Sequence, residues 1–163
     1  MKYLNNIKTL EELKKAYYKL AMKMHPDKGG DVEEMKVLNN EYDALFAKVS
    51  HVHVNKDGQT YERKTNEKPE EFKDIIDALM KMSGITIEVI GSFVWVSGDT
   101  KPNKDQLKAM GFRWHSKKLN WYKSPEGYRK FNRKQYSMDE VRDMFGSRFY
   151  AETDTAKAYP ATV

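Results

Sequence analysis

The sequence of 163 residues has no cysteine, which excludes disulfides, thiolate metal sites and a cysteine nucleophile. It also lacks an apolar run long enough to span a bilayer and the charged-then-apolar start of a secretory signal. Neither a phosphate-cradling glycine loop nor a serine elbow is present. We therefore expect a cytoplasmic protein that is not an enzyme and holds no cofactor.

The formal net charge of +5 is unevenly distributed along the chain. Residues 1–50 are nearly neutral, with nine basic and eight acidic side chains. Residues 101–134 carry eleven basic and two acidic side chains, whereas residues 51–100 carry six and nine. The positive charge is thus concentrated in one segment of the second half, which needs an explanation of its own.

The segment His25-Pro26-Asp27-Lys28-Gly29-Gly30 separates two stretches of helical periodicity. Pro26 lacks an amide proton and disfavours helical backbone at the residue before it, so the first helix should end near Met24 or His25. The glycines then let the chain reverse. We predict an antiparallel helical hairpin that presents His25 and Asp27 outward at its tip, as a docking position.

Both helices have an apolar stripe at spacings of three and four and a capping pattern at the start. Thr9 with Glu12 should cap the first helix, and Asp31 with Glu34 the second. The two stripes comprise Leu10, Leu13, Tyr17, Leu20, Ala21 and Met24, and Met35, Leu38, Tyr42, Leu45, Phe46 and Val49.

Lys15, Lys19 and Lys23 are four residues apart and so stack on one face of the first helix. Like charges at this spacing destabilise a helix by roughly 0.2–0.5 kcal/mol per pair. A row of lysines alone is usually a solvated face. Because this row points towards the His-Pro-Asp turn, it indicates a positive strip for an acidic partner.

Residues 13–28, with Lys36 and Tyr42 downstream, resemble helix II and the loop of a J-domain, the module of DnaJ-type co-chaperones. The resemblance covers residues 1–50. It implies that His25, Pro26 and Asp27 contact the ATPase domain of a DnaK-type chaperone and stimulate ATP hydrolysis. The other residues implied in this contact are Lys14, Lys19, Lys23 and Lys28, with Tyr17 packed beneath the loop.

Two features depart from the J-domain pattern. Tyr18 stands where many J-domains have a basic residue, and helix I of the module is reduced to a segment from about Lys2 to Ile7. These departures motivate an alternative in which the protein occupies the chaperone without productive hydrolysis.

Residues 51–68 read as a β-ribbon followed by a linker. A lone two-stranded ribbon is marginal in water, so it must lean on another element or be mobile. His51 and His53 share one side of the first strand, but no third ligand is evident nearby. We predict no metal site there.

Residues 69–149 predict a small α+β domain that is basic and rich in aromatics, and residues 150–163 a loose tail. We assign the helix that starts at Pro69 to this domain, because the strands after Gly84 need a covering layer. The other predicted elements are a hairpin around Gly91-Ser92, a short helix from about Pro102 to Met110, a hairpin over residues 112–123 and a last helix capped by Ser137 with Glu140.

Alternation assigns the side chains of the two hairpins to opposite faces. We expect one face of the first hairpin to carry Ile87, Val89, Val94 and Val96, and the other Glu88, Phe93 and Trp95. In the second hairpin, Trp114 and Trp121 are expected to form a cross-strand pair.

Cations and aromatic rings interleave in the basic segment, a composition typical of proteins that bind single-stranded DNA or RNA. In a domain this small the tryptophans are also most of the available core, so a surface that binds a protein client is the competing interpretation. The candidate residues for either ligand are Arg113, Trp114, Lys117, Lys118, Trp121, Tyr122, Lys123, Arg129, Lys130 and Arg133.

Gly111-Phe112-Arg113-Trp114, followed by Asn120-Trp121-Tyr122, resembles a segment of small J-domain proteins encoded by phages and prophages of Gram-positive bacteria. This resemblance covers most of residues 69–149 and implies a bacterial host cytoplasm. Two functions thus stand side by side. One is a co-chaperone whose C-terminal half selects the client or assembly, and the other is a nucleic-acid-binding protein tethered by its J-like module.

Overall fold

The computed structural model describes residues 1–125, 134–145, 150–152 and 158–159, and the chain forms two compact units, residues 1–81 and 82–163. The first unit is mainly helical and the second is built on a sheet, which confirms the predicted α+β class. No helix within the described ranges is long and apolar enough to traverse a bilayer.

The first unit contains three helices and a short ribbon. Its elements are α1 (Leu10–Met24), α2 (Val32–Val49), β1 (Val52–Val54), β2 (Thr60–Glu62) and α3 (Pro69–Met80). The predicted helical hairpin of α1 and α2 is confirmed, with a 3-10 turn over Pro26–Lys28 between the two helices.

The two predicted helix caps differ in outcome. At α1, the Thr9 hydroxyl accepts the Glu12 N–H and the Glu12 carboxylate accepts the Thr9 N–H, which is the capping box predicted. At α2, the Asp31 carboxylate accepts the Glu33 N–H at 2.7 Å. Glu34 does not complete a box there, because its carboxylate accepts the Tyr3 hydroxyl instead.

The helix α3 packs on α1 and α2, so its assignment to the C-terminal domain was wrong. The ring of Phe72 lies 6.0 Å from that of Tyr17 and 6.2 Å from that of Tyr42. Ile76, one turn later, is also fully buried. Periodicity shows that a helix has an apolar face, but it does not say which of two apolar surfaces that face will cover.

The segment from Lys2 to Ile7, expected to be a short helix, has no helical structure. It is held instead by Glu41 of α2, whose carboxylate accepts the backbone N–H groups of Lys2, Tyr3 and Leu4. Leu4 is buried beside this contact. Glu41, which is distant in sequence, thus satisfies backbone N–H groups that would have no intrahelical partner in the first turn of a helix.

The ribbon of β1 and β2 contacts α1 through the carboxylate of Glu11. Glu11 lies 2.9 Å from Nδ1 of His53 and accepts the Val54 N–H at 3.2 Å. The His53 ring also stacks on Tyr61, with ring centroids 5.4 Å apart. Among the described residues, no group of three or more potential ligands is arranged to hold a metal ion.

The second unit is built on an antiparallel sheet with the strand order β5-β6-β4-β3-β7-β8. Its strands are β3 (Ile85–Ile90), β4 (Phe93–Gly98), β5 (Arg113–His115), β6 (Asn120–Lys123), β7 (Tyr150–Glu152) and β8 (Ala158–Tyr159). Its helices are α4 (Lys104–Ala109), preceded by a 3-10 turn over Lys101–Asn103, and α5 (Met138–Phe145).

The predicted hairpin register is confirmed on both faces. Ile87 pairs with Val96 and Val89 with Val94, while Glu88 pairs with Trp95 across the same two strands. Trp121 is buried, and its indole N–H donates to the hydroxyl of Thr100 at 3.2 Å. Alternation with a period of two therefore sorted these side chains correctly from sequence.

A buried charge on the other face of β3 finds its partner on α5. Glu88 is 5% exposed, and both of its oxygens accept hydrogen bonds from the guanidinium of Arg142. Ser137 and Glu140 form the predicted capping box at the start of that helix. The bidentate pair compensates a carboxylate that would otherwise be costly to bury.

The predicted loose tail is wrong in part, because residues 150–152 and 158–159 form strands. The strand β7 (Tyr150–Glu152) pairs with β3, and β8 (Ala158–Tyr159) pairs with β7. The reason lies in β3, which is buried along most of its length and would otherwise have a row of unpaired backbone groups at its free edge.

We predict that Glu41→Gln destabilises the first unit by about 1–3 kcal/mol at neutral pH, because backbone donors then lose a charged acceptor. Burial raises the pKa of Glu41, but the N–H donors of Leu4, Tyr3 and Lys2 outweigh it and the pKa lies below its ordinary value. The contribution of Glu41 is therefore present at neutral pH and is lost as the pH falls through this lowered pKa. Urea unfolding followed by far-ultraviolet circular dichroism measures the difference.

Glu33→Gln is the matched control for this substitution, since its carboxylate is largely exposed and pairs with Lys36 at the surface. It should cost about 0.5 kcal/mol or less. All three tryptophans lie in the second unit, so their fluorescence reports whether that unit is unchanged. Equal losses for both variants would contradict the role given to Glu41.

Candidate functional site

The His-Pro-Asp turn is fixed by its backbone. The His25 N–H still donates to the Ala21 carbonyl at 2.9 Å, and Pro26 then starts the 3-10 turn with no amide of its own to satisfy. Gly30 follows in a crowded place, where a Cβ would lie 2.0 Å from the Met24 carbonyl oxygen. Pro26 therefore ends α1, and the chain reverses direction at Gly30, a position that only glycine can occupy.

The exposure of this turn agrees with the prediction at two of its three residues. Pro26 and Asp27 are exposed. His25 is only 6% exposed, so the prediction that its side chain points outward was wrong. The physical reason is α3, a helix that sequence reasoning placed in the other unit and that here lies against the imidazole.

Both ring nitrogens of His25 have partners. Nε2 lies 2.7 Å from the Asp77 carboxylate, and Nδ1 accepts the Asp27 N–H at 3.2 Å. Because Nδ1 is the acceptor, the proton of the neutral ring resides on Nε2 and is donated to Asp77. The imidazole is therefore held in one tautomer and one orientation by contacts within the chain.

Asp77 occupies a position between two donors on the surface of α3. Besides His25, its carboxylate lies 3.0 Å from the ammonium of Lys81. Burial raises the pKa of Asp77, but the hydrogen bonds from His25 and Lys81 outweigh this and hold the pKa below its ordinary value. Asp77 is thus ionised at neutral pH as the acceptor for His25.

Lys14, a residue implied in chaperone contact, is also turned inward. It is 4% exposed, its ammonium lies 2.7 Å from the carboxylate of Glu67, and it stands over the ring of Phe72 at 5.5 Å. The chaperone contact that the resemblance implies for Lys14 stays a prediction, because its ammonium is paired within the chain in this structure. Lys14 is covered by Glu67, which precedes α3, and by Phe72 near the start of α3.

Tyr17, which the resemblance places beneath the loop, is buried and lines the same groove as His25 and Pro26. Its hydroxyl donates to the side chain of Asn39 at 2.8 Å, and its ring centroid lies 4.7 Å from that of Tyr42. Burial raises the pKa of Tyr17, so the hydroxyl stays protonated as a donor. Tyr17 therefore joins α1 to α2 and α3 within the core of the first unit.

The other lysines of the predicted strip and turn lie on the accessible side of the hairpin. Lys23 is exposed, and Lys15, Lys19 and Lys28 are partly exposed. Burial lowers the pKa of Lys15, and the neighbouring charge of Lys19 lowers it further, as expected for like charges stacked one turn apart. The predicted positive strip is thus present on α1.

A groove with a volume of about 480 Å³ lies beside the turn, between α2 and α3. Its walls combine the docking residues with charges of both signs. They include Tyr17, His25 and Asp27, together with Lys36, Lys73 and Asp77.

The sequence reasoning missed Asp77 and Glu67, the two carboxylates that hold His25 and Lys14. A signal was available, because residues 67–77 contain five acidic and two basic side chains. An acidic segment that follows a lysine-rich helix is complementary to it in charge. Nothing in the spacing, however, indicated that the two would meet.

The candidate nucleic-acid residues do not form one surface within the described part of the chain. Trp114 is 47% exposed and pairs with the buried Trp121 on one face of the sheet, at 5.6 Å between ring centroids. Arg113 and Tyr122 lie opposite each other on the other face.

The cations of this set are similarly divided. The Lys118 ammonium lies 5.7 Å from the ring centroid of Trp95, the Lys123 ammonium donates to the Met110 carbonyl, and Lys117 is exposed. Arg129, Lys130 and Arg133 lie outside the described residues. Trp121 is thus a core residue, and nucleic-acid binding by the others stays a prediction.

We predict that Asp77→Asn lowers the unfolding free energy of the first unit by about 1 kcal/mol at neutral pH, because a charged hydrogen bond is lost. Since the pKa of Asp77 is lowered in the folded protein, its contribution is present above the unfolded pKa and disappears as the pH falls through the folded value. Urea unfolding of both proteins across this range measures it. A difference that grows towards acid would contradict the assignment.

The first fifty or so residues are also the part of the chain that matches known proteins. Residues 4–53 match the DnaJ domain. Chaperone protein dnaJ A6 of Oryza sativa subsp. japonica is 60% identical over 35 residues, which are 22% of this chain and 8% of the rice protein. DnaJ protein homolog 2 of Allium porrum is 57% identical over 37 residues, which are 23% of this chain and 9% of that protein.

Chaperone protein dnaJ 2 of Arabidopsis thaliana is similar over the same extent, with 60% identity over 35 residues, 22% of this chain and 8% of that protein. The matches thus span less than a tenth of these curated relatives. No solved structure matches the chain. Residues 4–53, which contain α1, the His-Pro-Asp turn and α2, therefore correspond to a DnaJ domain.

Proposed function

We propose that the protein is a co-chaperone that docks on the ATPase domain of a DnaK-type chaperone and stimulates its ATP hydrolysis. The observation that carries this proposal is the His-Pro-Asp turn at the tip of a helical hairpin, within the segment that matches the DnaJ domain. The three residues of the turn supply a rigid ring between an imidazole and a carboxylate.

The charges around the turn support docking on an acidic surface. Asp27 is exposed beside the rigid ring of Pro26, and the strip of Lys15, Lys19 and Lys23 runs towards them along α1. Complementary charge of this kind steers association and fixes the orientation of a complex. Hydrolysis takes place on the partner, so the protein itself requires neither a nucleophile nor a cofactor.

The second unit is proposed to select the client or the assembly that the chaperone serves. The protein would act in the cytoplasm of a bacterial host, as the likeness of residues 69–149 to phage-encoded J-domain proteins implies. That likeness lies outside the segments matched above and stays a prediction.

We predict that Asp27→Asn raises the concentration needed for half-maximal stimulation of the chaperone's ATPase about thirtyfold or more, because losing one central charged contact costs about 2 kcal/mol or more. His25→Gln should lose stimulation as well. The measurement is the steady-state ATPase rate of a DnaK-type chaperone titrated with the full chain.

Asp57→Asn is the control, since Asp57 is an exposed carboxylate in the turn between β1 and β2. It should stimulate as the wild type does. If Asp27→Asn and His25→Gln stimulate normally, the docking site is wrong. If the wild type binds the chaperone but leaves its ATPase rate unchanged, the non-productive alternative replaces the proposal.

A further inference from the structure

We propose that α3, together with Glu67 before it, is an intramolecular cap on the chaperone-docking face, which has to leave before His25 and Lys14 can engage a partner. The inference rests on the proposed function and adds a means of regulating the same site. Its basis is that two residues expected to contact the chaperone are consumed by a single segment of the same chain.

The contacts of the cap fall on the docking residues themselves. Asp77 accepts from Nε2 of His25 at 2.7 Å, and Glu67 lies 2.7 Å from the ammonium of Lys14. Both docking side chains are more than nine-tenths buried. A partner can form neither of these contacts while α3 is in place, because the donor of each is already occupied and shielded from solvent.

The chemistry of the cap imitates that of the expected partner. Residues 67–77 contain five carboxylates and two ammonium groups, and the lysine strip of α1 is expected to meet an acidic surface. The cap therefore competes for the docking face with the same type of group that the chaperone would bring. Displacement exchanges the contacts of Lys14 and His25 with the cap for contacts with the partner, while Glu67 and Asp77 return to solvent.

The packing of α3 holds the cap in position without sealing it. Phe72 and Ile76 are buried against the hairpin, and Lys73 pairs with Asp43 of α2. Yet the groove of about 480 Å³ remains between α3, the turn and α2. The cap is thus held by the packing of Phe72 and Ile76 and by the ion pair of Lys73 with Asp43, with the groove beside these contacts.

The start of α3 is less firmly fixed than the start of α1. Its N-cap residue, Lys68, makes no side-chain capping bond, whereas Thr9 and Glu12 form a complete capping box on α1. An N-cap without such a bond forgoes stabilisation that a Ser, Thr, Asn or Asp would provide. Separation or unwinding of α3 is therefore the expected route to opening, while α1 and α2 stay folded.

A closed and an open state give a simple quantitative consequence. The apparent affinity for the chaperone equals the affinity of the open state multiplied by the fraction of molecules that are open. A substitution that weakens only the cap raises that fraction, and a tether that fastens it lowers the fraction. The two manipulations must act in opposite directions on one observable.

The first experiment weakens the cap in the full chain with Asp77→Asn. The concentration for half-maximal stimulation of the chaperone's ATPase should fall about threefold to tenfold, since one charged hydrogen bond no longer favours the closed state. Glu71→Gln is the control, an exposed carboxylate of the same helix that does not line the groove beside the turn, and should leave this concentration unchanged. A loss of stimulation in Asp77→Asn would overturn the cap, because Asp77 would then position His25 for docking.

The second experiment fastens the cap, which the absence of cysteine makes straightforward. Cysteines replace Lys73 and Asp43, whose side chains are in contact, and a bismaleimide with a cleavable disulfide joins them. Stimulation should be lost in the tethered protein and return on reduction. Recovery on reduction excludes misfolding as the cause. Full stimulation by the tethered protein would overturn the proposal.

A third measurement tests the cap with no chaperone present. Diethyl pyrocarbonate modifies accessible neutral imidazoles, and peptide mass mapping distinguishes His25 from the exposed His51. Modification of His25 should be several-fold faster in Asp77→Asn than in the wild type, with His51 unchanged in both. Equal rates at His25 would overturn the cap whatever the ATPase data show. Faster modification of His25, in a protein that no DnaK-type chaperone responds to, would keep the cap and refute the proposed function.

Discussion

A helix cannot continue through Pro26, and the placement of every residue in the first unit depends on that constraint. The 3-10 turn over Pro26–Lys28 and the close approach of Gly30 to Met24 return the chain, so that α2 can lie against α1. The rings of Tyr17 and Tyr42 then meet across the two helices. The turn is therefore both the corner of the core and the candidate docking site.

The same corner brings a third helix into contact with the site. The apolar side of α3 needs to be covered, and the rings of Tyr17 and Tyr42 offer Phe72 an aromatic surface. Once Phe72 is seated there, Asp77 lies within hydrogen-bond distance of His25. A packing contact and a functional contact are thus parts of one helix–helix interface.

The candidate site accordingly has two kinds of residue with different availability. Pro26, Asp27 and the lysine strip are accessible in this structure, whereas His25 and Lys14 are engaged by carboxylates of α3. An accessible charge can steer a partner towards the face before any internal contact breaks. Under the proposal that α3 is a cap, encounter and full docking are separable steps on this surface, with the release of α3 between them.

The sequence by itself determined those features that depend on neighbours along the chain. These are the break at Pro26, the capping boxes at Thr9 and Ser137, the hairpin at Gly91-Ser92 and the faces of its strands. Each follows from backbone sterics or from a period of two or 3.6 residues, which act over a few positions. The position of the His-Pro-Asp turn belongs to this group.

Only the tertiary structure decided where α3 packs, why residues 2–7 are not helical and what β3 pairs with at its second edge. The deciding contacts join Glu41 to Leu4, Asp77 to His25, and Tyr150–Glu152 to β3. These partners are dozens of residues apart, and an apolar face or an unpaired edge can be covered by any surface of suitable shape and chemistry. Local pattern shows that such a surface needs a partner, and the competition among all packings of the chain selects which one it finds.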